Sequence, residues 1–175
     1  TTSVFANQIE NLVPYFKLAM ENRTNKEKLN IIAIENGVDV KKPFVDAKLD
    51  ANISEGIIFC TSICENDSLN ITSEANVEVP INGDFLPNNF NIIGMPKITK
   101  FNDLIQRKIY TYNFISAIIS YLGDYENYQN YAEAATDKVI QKFIKLLLPN
   151  INYSIAKHFE ITIEEQEQFS RRAIL

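Results

Sequence analysis

The sequence changes character near residue 96. Before that point, short apolar runs rich in β-branched residues alternate with polar segments that contain Gly, Pro, Asn and Asp, which is the pattern of strands separated by turns. After Lys97, apolar residues recur every three or four positions over most of the chain, which is the pattern of amphipathic helices. The sequence therefore predicts an α/β domain over residues 1–96, followed by an all-α domain over residues 97–175.

The first domain opens with a predicted strand–helix–strand unit. Residues 1–4 are interpreted as the end of a buried strand, and residues 5–22 as a helix that Pro14 either divides or restarts. Leu29–Ile34 is a short apolar run rich in β-branched residues, as in the buried parallel strand of a βαβ unit. Asn36 follows this strand closely. Since open α/β sheets bind ligands at the carboxyl ends of their strands, it is a candidate site residue.

The middle of the chain predicts a small antiparallel sheet. Between residues 45 and 81, short apolar runs are separated by Asn, Asp, Ser and Pro. The runs lie at residues 56–60, 69–72 and 77–79. Residues 82–96 contain two glycines and two prolines, and we expect them to form the loop that joins the two domains.

Four helices are predicted in the second domain, at residues 101–122, 125–148 and 151–159 and from residue 163 onward. Gly123 is expected to end the first helix, and Pro149 the second. Thr162 and Glu165 have the spacing of a capping box, which predicts the start of the fourth helix.

Charge and hydropathy exclude several classes of function. The net charge is −5 and the pI about 5.0, whereas a nucleic-acid partner requires a basic face. No apolar run reaches the ~18 to 20 residues that span a bilayer, and no signal peptide is evident, so we expect a cytoplasmic protein with no membrane partner. Cys60, Cys64 and the single histidine, His158, do not complete a zinc site, so free thiols and no metal are predicted.

Residues 107–123 carry the strongest functional motif. Lys108 is followed five residues later by Asn113, Ser116 comes three residues after that, and the segment closes with Tyr-Leu-Gly. This segment resembles the catalytic helix of the polyol-specific long-chain dehydrogenases, in which a histidine occupies the position of Ser116. Residues 30–36 are also similar to a strand of that family that ends in an active-site asparagine.

The similarity covers nearly the whole chain. Residues 1–4 with Pro14 resemble the family's late Rossmann strand and the helix after it, and the dipeptides at 86–87 and 94–95 lie where the family has its linker. The resemblance implies the C-terminal part of a Rossmann-type domain with a small antiparallel β insertion, followed by a truncated helical domain. The family's Gly-rich dinucleotide loop would precede Thr1, so we expect an interior fragment.

The resemblance also implies an NAD-dependent oxidoreductase that transfers hydride between NAD and a sugar alcohol or sugar-alcohol phosphate. Lys108 would be the general base, and Asn36 and Asn113 would donate hydrogen bonds to the oxygen on which negative charge develops. Ser116 would hold a water or a substrate hydroxyl in place of the imidazole. The residues expected to contact the cofactor are Thr2, Ser3 and Glu35.

Each candidate also has a structural interpretation. Lys108 with Arg107 would be a solvated basic patch, Asn113 a surface residue, and Ser116 a donor to its own backbone. The residue pair 58–59, Ile-Phe, stands where the family carries an active-site Asp-Arg pair. The alternative for the whole chain is a catalytically silent relative whose helical domain serves interaction or assembly.

Overall fold

The computed structural model describes residues 1–60, 62–64, 68–73, 78–171 and 173. The chain divides into two compact units, Thr1–Asn102 and Asp103–Leu175. The first contains a four-stranded sheet, and the second is built from helices. The predicted order of an α/β part followed by a helical part is confirmed.

A mixed sheet forms the centre of the first unit. Its strands, in spatial order, are β1 (Leu29–Ile34), β2 (Ala51–Gly56), β5 (Ile81–Asn82) and β6 (Lys97–Ile98). Strands β1 and β2 are parallel, β5 is antiparallel to β2, and β6 is parallel to β5. Thr2 forms a parallel bridge with Ala33. The predicted buried strand at 29–34 is therefore confirmed, and the first residues of the chain run alongside it.

Helices cover one part of this sheet. A 3-10 helix at Ala6–Leu12 leads directly into α1 (Val13–Glu21), with Pro14 in the first turn of α1. Proline is tolerated there because the first amides of a helix have no intrahelical acceptor. Pro14 thus begins the second part of the helical segment, as one of the two interpretations predicted. The core here consists of Ile9 of the 3-10 helix, Ile31 and Ala33 of β1, Val40 between β1 and α2 (Lys42–Asp46), and Phe44 of α2.

The prediction of antiparallel strands over residues 45–81 was partly wrong. Strand β2 pairs in parallel with β1, and only Gly56 of the predicted run at 56–60 lies in a strand. Strands β3 (Ser62–Cys64) and β4 (Ile71–Ser73) form an antiparallel hairpin as predicted, and β4 overlaps the run at 69–72, but β3 lies outside the predicted runs. Of the run at 77–79, residue 77 lies outside the described residues and the other two are not in a strand.

Polar residues inside β2 are the reason for this error. Ser54 and Glu55 break the apolar pattern that identifies a buried strand, yet both are 0% exposed. The Ser54 hydroxyl donates to the carbonyl oxygen of Asn82 at 2.6 Å, and Glu55 accepts a hydrogen bond from Lys41. Buried polar groups are stable when they have such partners.

Over its described residues, the second unit contains four α-helices and the greater part of a fifth. Its elements are α3 (Phe101–Lys108), a π-helical turn (Ile109–Asn113), α4 (Phe114–Tyr125), α5 (Tyr131–Thr136), α6 (Lys138–Phe159) and α7 (Ile163–Arg171). The core of the unit consists of Ile115, Ile119, Ala134, Ile140 and Ile144. The Thr162 hydroxyl accepts a hydrogen bond from the Glu165 amide at 3.1 Å, which confirms the predicted cap of the last helix.

Three predictions about the ends of elements were wrong. Gly123 lies inside α4, where a Cβ atom would approach the Cβ of Ala134 to 2.5 Å, so it serves close helix packing and not termination. Pro149 lies inside α6, so the end of the predicted second helix and the whole predicted third helix form one long helix. The chain after Lys97 is not entirely helical, since β6 begins there. Within the described residues, no helix has both the length and the apolar character that a bilayer crossing requires.

Candidate functional site

The site in the second unit is built on the π turn between α3 and α4. The Phe114 amide bonds the carbonyl oxygen of Ile109, five residues earlier, whereas an α-helix bonds to the fourth. A turn closed over five residues brings positions five apart nearer to the same side of the helix than an α-helical turn does. Lys108 immediately precedes this turn, and Asn113, five positions later, is its last residue. Isolated π turns of this kind occur often at functional sites.

Lys108 has the environment that a lysine base requires. The residue is only 9% exposed, and burial lowers the pKa of its ammonium group below the ordinary value. A low-dielectric surrounding disfavours the charged form, so the neutral amine becomes accessible nearer to neutral pH. The interpretation as a solvated basic patch does not fit, because the Arg107 side chain is also only 12% exposed and pairs with Glu165 at 2.8 Å.

Asn113 lies at the edge of an apolar groove of about 580 Å³. Tyr110 and Phe114 line the groove from the π turn and α4. The α6 residues that line it are Asn150, Ile151, Ser154 and Ile155. Asn113 itself is exposed within this unit, which agrees with its interpretation as a surface residue. Its amide is therefore available to a ligand in the groove.

Ser116 lies one turn further along, on an exposed part of α4. Its Oγ accepts a hydrogen bond from the Tyr131 hydroxyl at 3.3 Å. The hydroxyl of Ser116 is thus linked to the first residue of α5 through a side chain that the sequence analysis did not single out.

The first unit positions the other candidates at the carboxyl end of β1. Thr2 is held by backbone hydrogen bonds to Ile32 and Ile34, and its Oγ1 is buried without a hydrogen-bond partner in the described part of the chain. Glu35 is buried, and its Oε1 accepts a hydrogen bond from the Val4 amide at 2.7 Å. Ser3 and Asn36 are exposed. Within the described part of the chain, no three His, Cys, Asp or Glu side chains are grouped to hold a metal.

No protein-family model matches the chain. It is 25% identical to a mannitol-1-phosphate 5-dehydrogenase of Aureobasidium melanogenum and 25% identical to one of Clostridium acetobutylicum, each over 99% of this chain and 50% of the relative. A mannitol-1-phosphate 5-dehydrogenase of Thermoanaerobacter pseudethanolicus is 24% identical over the same shares. The chain resembles mannitol-1-phosphate 5-dehydrogenases. The predicted resemblance is confirmed, and the chain spans about half the length of the curated relatives it matches.

The similarity to mannitol-1-phosphate 5-dehydrogenases includes both units, because it covers 99% of the chain. Lys108, Asn113 and Ser116 belong to one helical segment of the second unit, and the remaining candidates belong to the first unit. The roles assigned to all of these residues stay predictions.

The sequence analysis missed a buried ion pair in the first unit. The Lys41 ammonium lies 2.5 Å from Oε1 of the fully buried Glu55 and 3.0 Å from the Asp39 carboxylate. Burial by itself lowers the pKa of Lys41, but the hydrogen bonds to Glu55 and Asp39 outweigh it and raise the pKa above the ordinary value. No spacing rule connects residues 41 and 55, so the sequence carried no signal for this pair.

The second set of missed residues comes from α7. Gln166 is 0% exposed and bonds both Arg107 and Thr111, which places it directly against the π turn. A glutamine within an otherwise acidic and exposed stretch gave no reason to expect burial.

Proposed function

We propose that this chain is part of an NAD-dependent dehydrogenase that transfers hydride between NAD and a sugar-alcohol phosphate such as mannitol 1-phosphate. The observation that supports this function most directly is the buried Lys108, with its lowered pKa, at the start of the π turn that also carries Asn113. The similarity to mannitol-1-phosphate 5-dehydrogenases supports the substrate class.

Lys108 would act as the general base on the substrate hydroxyl. Its neutral amine would take the hydroxyl proton in oxidation, and the resulting ammonium would return it in reduction. A lysine with an ordinary pKa is almost fully protonated at neutral pH and cannot accept a proton. Burial lowers the pKa of Lys108 and so favours the neutral amine that the reaction needs.

Asn113 would donate side-chain amide hydrogens to the oxygen that becomes negative as its proton leaves, and the same role for Asn36 stays a prediction from the resemblance. Fixed dipoles stabilise such charge without reorganisation during the reaction. Ser116, held by Tyr131, would orient a water or a second substrate hydroxyl. Tyr110 and Phe114 would supply the apolar wall that keeps water from the reacting carbon.

NAD, when bound, supplies the ring that accepts the hydride. The residues at the carboxyl end of β1 fit such a group, since the buried Thr2 Oγ1 has no hydrogen-bond partner among the described residues and Ser3 beside it is exposed. Thr2 and Ser3 would contact the cofactor. Glu35 would contribute to the cofactor site indirectly, because its carboxylate accepts a hydrogen bond from the amide of Val4, the residue after Ser3.

In this proposal the first unit is the C-terminal part of a Rossmann-type domain, and the second is the start of a helical substrate domain. The parallel pair β1 and β2, with a helix between them in sequence, supports the first assignment. The boundary near residue 96 stays a prediction.

The test is turnover by the full-length protein. Mannitol 1-phosphate and NAD are mixed with the wild type and with Lys108→Ala, and NADH formation is followed by absorbance. We expect turnover by the wild type and a loss of at least ~10²-fold in kcat for the variant, with NAD affinity unchanged. Lys142→Ala, at an exposed lysine of α6, is the matched control. Equal turnover by wild type and Lys108→Ala would reject the proposal.

Exposed apolar side chains on α6 favour a second candidate, a catalytically silent relative that serves assembly. Val139, Leu146 and Tyr153 are 75%, 67% and 56% exposed. This candidate predicts that the wild type shows no turnover of any polyol or ketose, and that replacing these residues by serine lowers the molecular mass measured by light scattering.

A further inference from the structure

Helix α7 contacts the π turn through one fully buried side chain. Gln166 donates from its Nε2 to Oγ1 of Thr111 at 2.9 Å and accepts a hydrogen bond at its Oε1 from Nε of Arg107 at 3.2 Å. Gln166 and Thr111 are both 0% exposed. Both ends of the glutamine amide are thus used, one on the residue before Lys108 and one inside the π turn.

Two further contacts attach the same segment to α7. The Arg107 guanidinium lies 4.6 Å from the ring centroid of Phe169 and pairs with Glu165 at 2.8 Å. The Tyr112 hydroxyl donates to the backbone carbonyl of Phe169 at 3.2 Å, and the two rings meet edge to face. Residues 107, 111 and 112 are therefore all held from α7.

A π turn needs support of this kind. Helical sequences default to the α form, and π turns persist where surrounding contacts favour the wider turn. If residues 109–113 relaxed to the α form, Asn113 would rotate relative to Lys108 by about 100°, the turn of one residue. The direction of Asn113 relative to Lys108 would then be different.

We propose that Gln166 is a positioning residue for the dehydrogenase reaction, a role that rests on the proposed function of Lys108 and Asn113. Gln166 holds the π turn through Thr111 and Arg107, and the π turn sets the direction of Asn113 relative to Lys108. Gln166 acts on the reaction only through these residues, so it belongs to the support of the site and not to the reacting groups.

The experiment compares Gln166→Leu with Gln168→Leu in the full-length enzyme. Gln168 is exposed on the same helix, so it controls for a loss of α7 stability. We expect Gln166→Leu to lower kcat by about tenfold or more while KM changes less than about twofold, because misplacement of an oxyanion donor acts mainly in the transition state. Gln166→Glu should recover most of kcat, since its carboxylate accepts from Arg107 and from the Thr111 hydroxyl.

A crystal structure of Gln166→Leu gives a readout independent of activity. We expect its Phe114 amide to bond the carbonyl oxygen of Tyr110 in place of Ile109. If Gln166→Leu does not fold, Thr111→Val tests the same link, because it removes the acceptor and keeps the shape of the side chain. Unchanged kcat and an unchanged π turn in either variant would overturn the proposal for Gln166. Full activity of Lys108→Ala would instead reject the proposed function. The acceptor of the Phe114 amide in Gln166→Leu, either Ile109 or Tyr110, would still show whether Gln166 holds the π turn.

Discussion

The amide of Phe114 bonds the carbonyl oxygen of Ile109 and so closes a π turn immediately after Lys108. In an ordinary amphipathic α-helix, the same amide would bond the carbonyl oxygen four residues earlier. It lies beside a lysine whose pKa is lowered by burial, and beside an asparagine at the edge of an apolar groove.

The first prediction concerns the pH dependence of stability. The folded-state pKa of Lys108 is lowered, whereas the unfolded chain has the ordinary value of 10.5. Between these two values the unfolded state binds more protons, so the free energy of unfolding rises with pH. Below the folded-state pKa, the full cost of burying the ammonium is present. We therefore expect Lys108→Met to be more stable than the wild type at pH 7, with an advantage that shrinks as the pH approaches 10.5.

Urea denaturation of both proteins between pH 7 and pH 10 measures this difference. Lys142→Met, at an exposed site, should show no comparable gain at any pH. An advantage of Lys108→Met that stays constant over the range would show that the lysine carries no burial cost.

The second prediction tests the contact of Gly123 with Ala134. Gly123→Ala introduces a Cβ at 2.5 Å from the Cβ of Ala134, so helix α5 must move. We expect a loss of about 1–3 kcal/mol in the free energy of unfolding, the usual cost of overpacking a core. Ser120→Ala, on an exposed part of α4, should have little effect. In the double variant Gly123→Ala/Ala134→Gly most of the loss should be recovered, and failure of that recovery would point to another cause.

The third prediction concerns the buried pair of Lys41 and Glu55. Removal of one partner leaves an uncompensated buried charge, so Lys41→Met should cost about 3–5 kcal/mol of stability. The double variant Lys41→Met/Glu55→Leu should be much closer to the wild type. Lys42→Met is the matched control, because Lys42 pairs with Asp46 at the surface and such pairs contribute about 0.3–0.5 kcal/mol. Equal losses for Lys41→Met and Lys42→Met would contradict the account.

The parts of the fold that were predicted correctly depend on local sequence signals. The strand at Leu29–Ile34 is apolar and β-branched, Pro14 begins a helix, and Thr162 caps one. Strand β2 was missed because its polar residues find partners far along the chain, such as Asn82, which lies 28 residues after Ser54.

The candidate site was also predicted only in part. The resemblance implied that Lys108 is a base, and its side chain is buried as that role requires. The π turn was not predicted, because it depends on Gln166, which lies 55 residues from its partner Thr111. Gly123 and Pro149 were interpreted by their usual local effects, but Gly123 packs against Ala134 and Pro149 lies inside α6.

The central claim is that the amine of Lys108 takes the substrate proton, and chemical rescue tests it most directly. In the full-length protein, Lys108→Ala leaves space that a small primary amine in solution can enter. We expect methylamine and ethylamine to restore part of the lost kcat, increasingly with pH as the free amine forms, and to leave wild type and Lys142→Ala unchanged. Activity of Lys108→Ala that is undiminished, or that is lost and not restored by any amine at any pH, would contradict the assignment of Lys108 as the base.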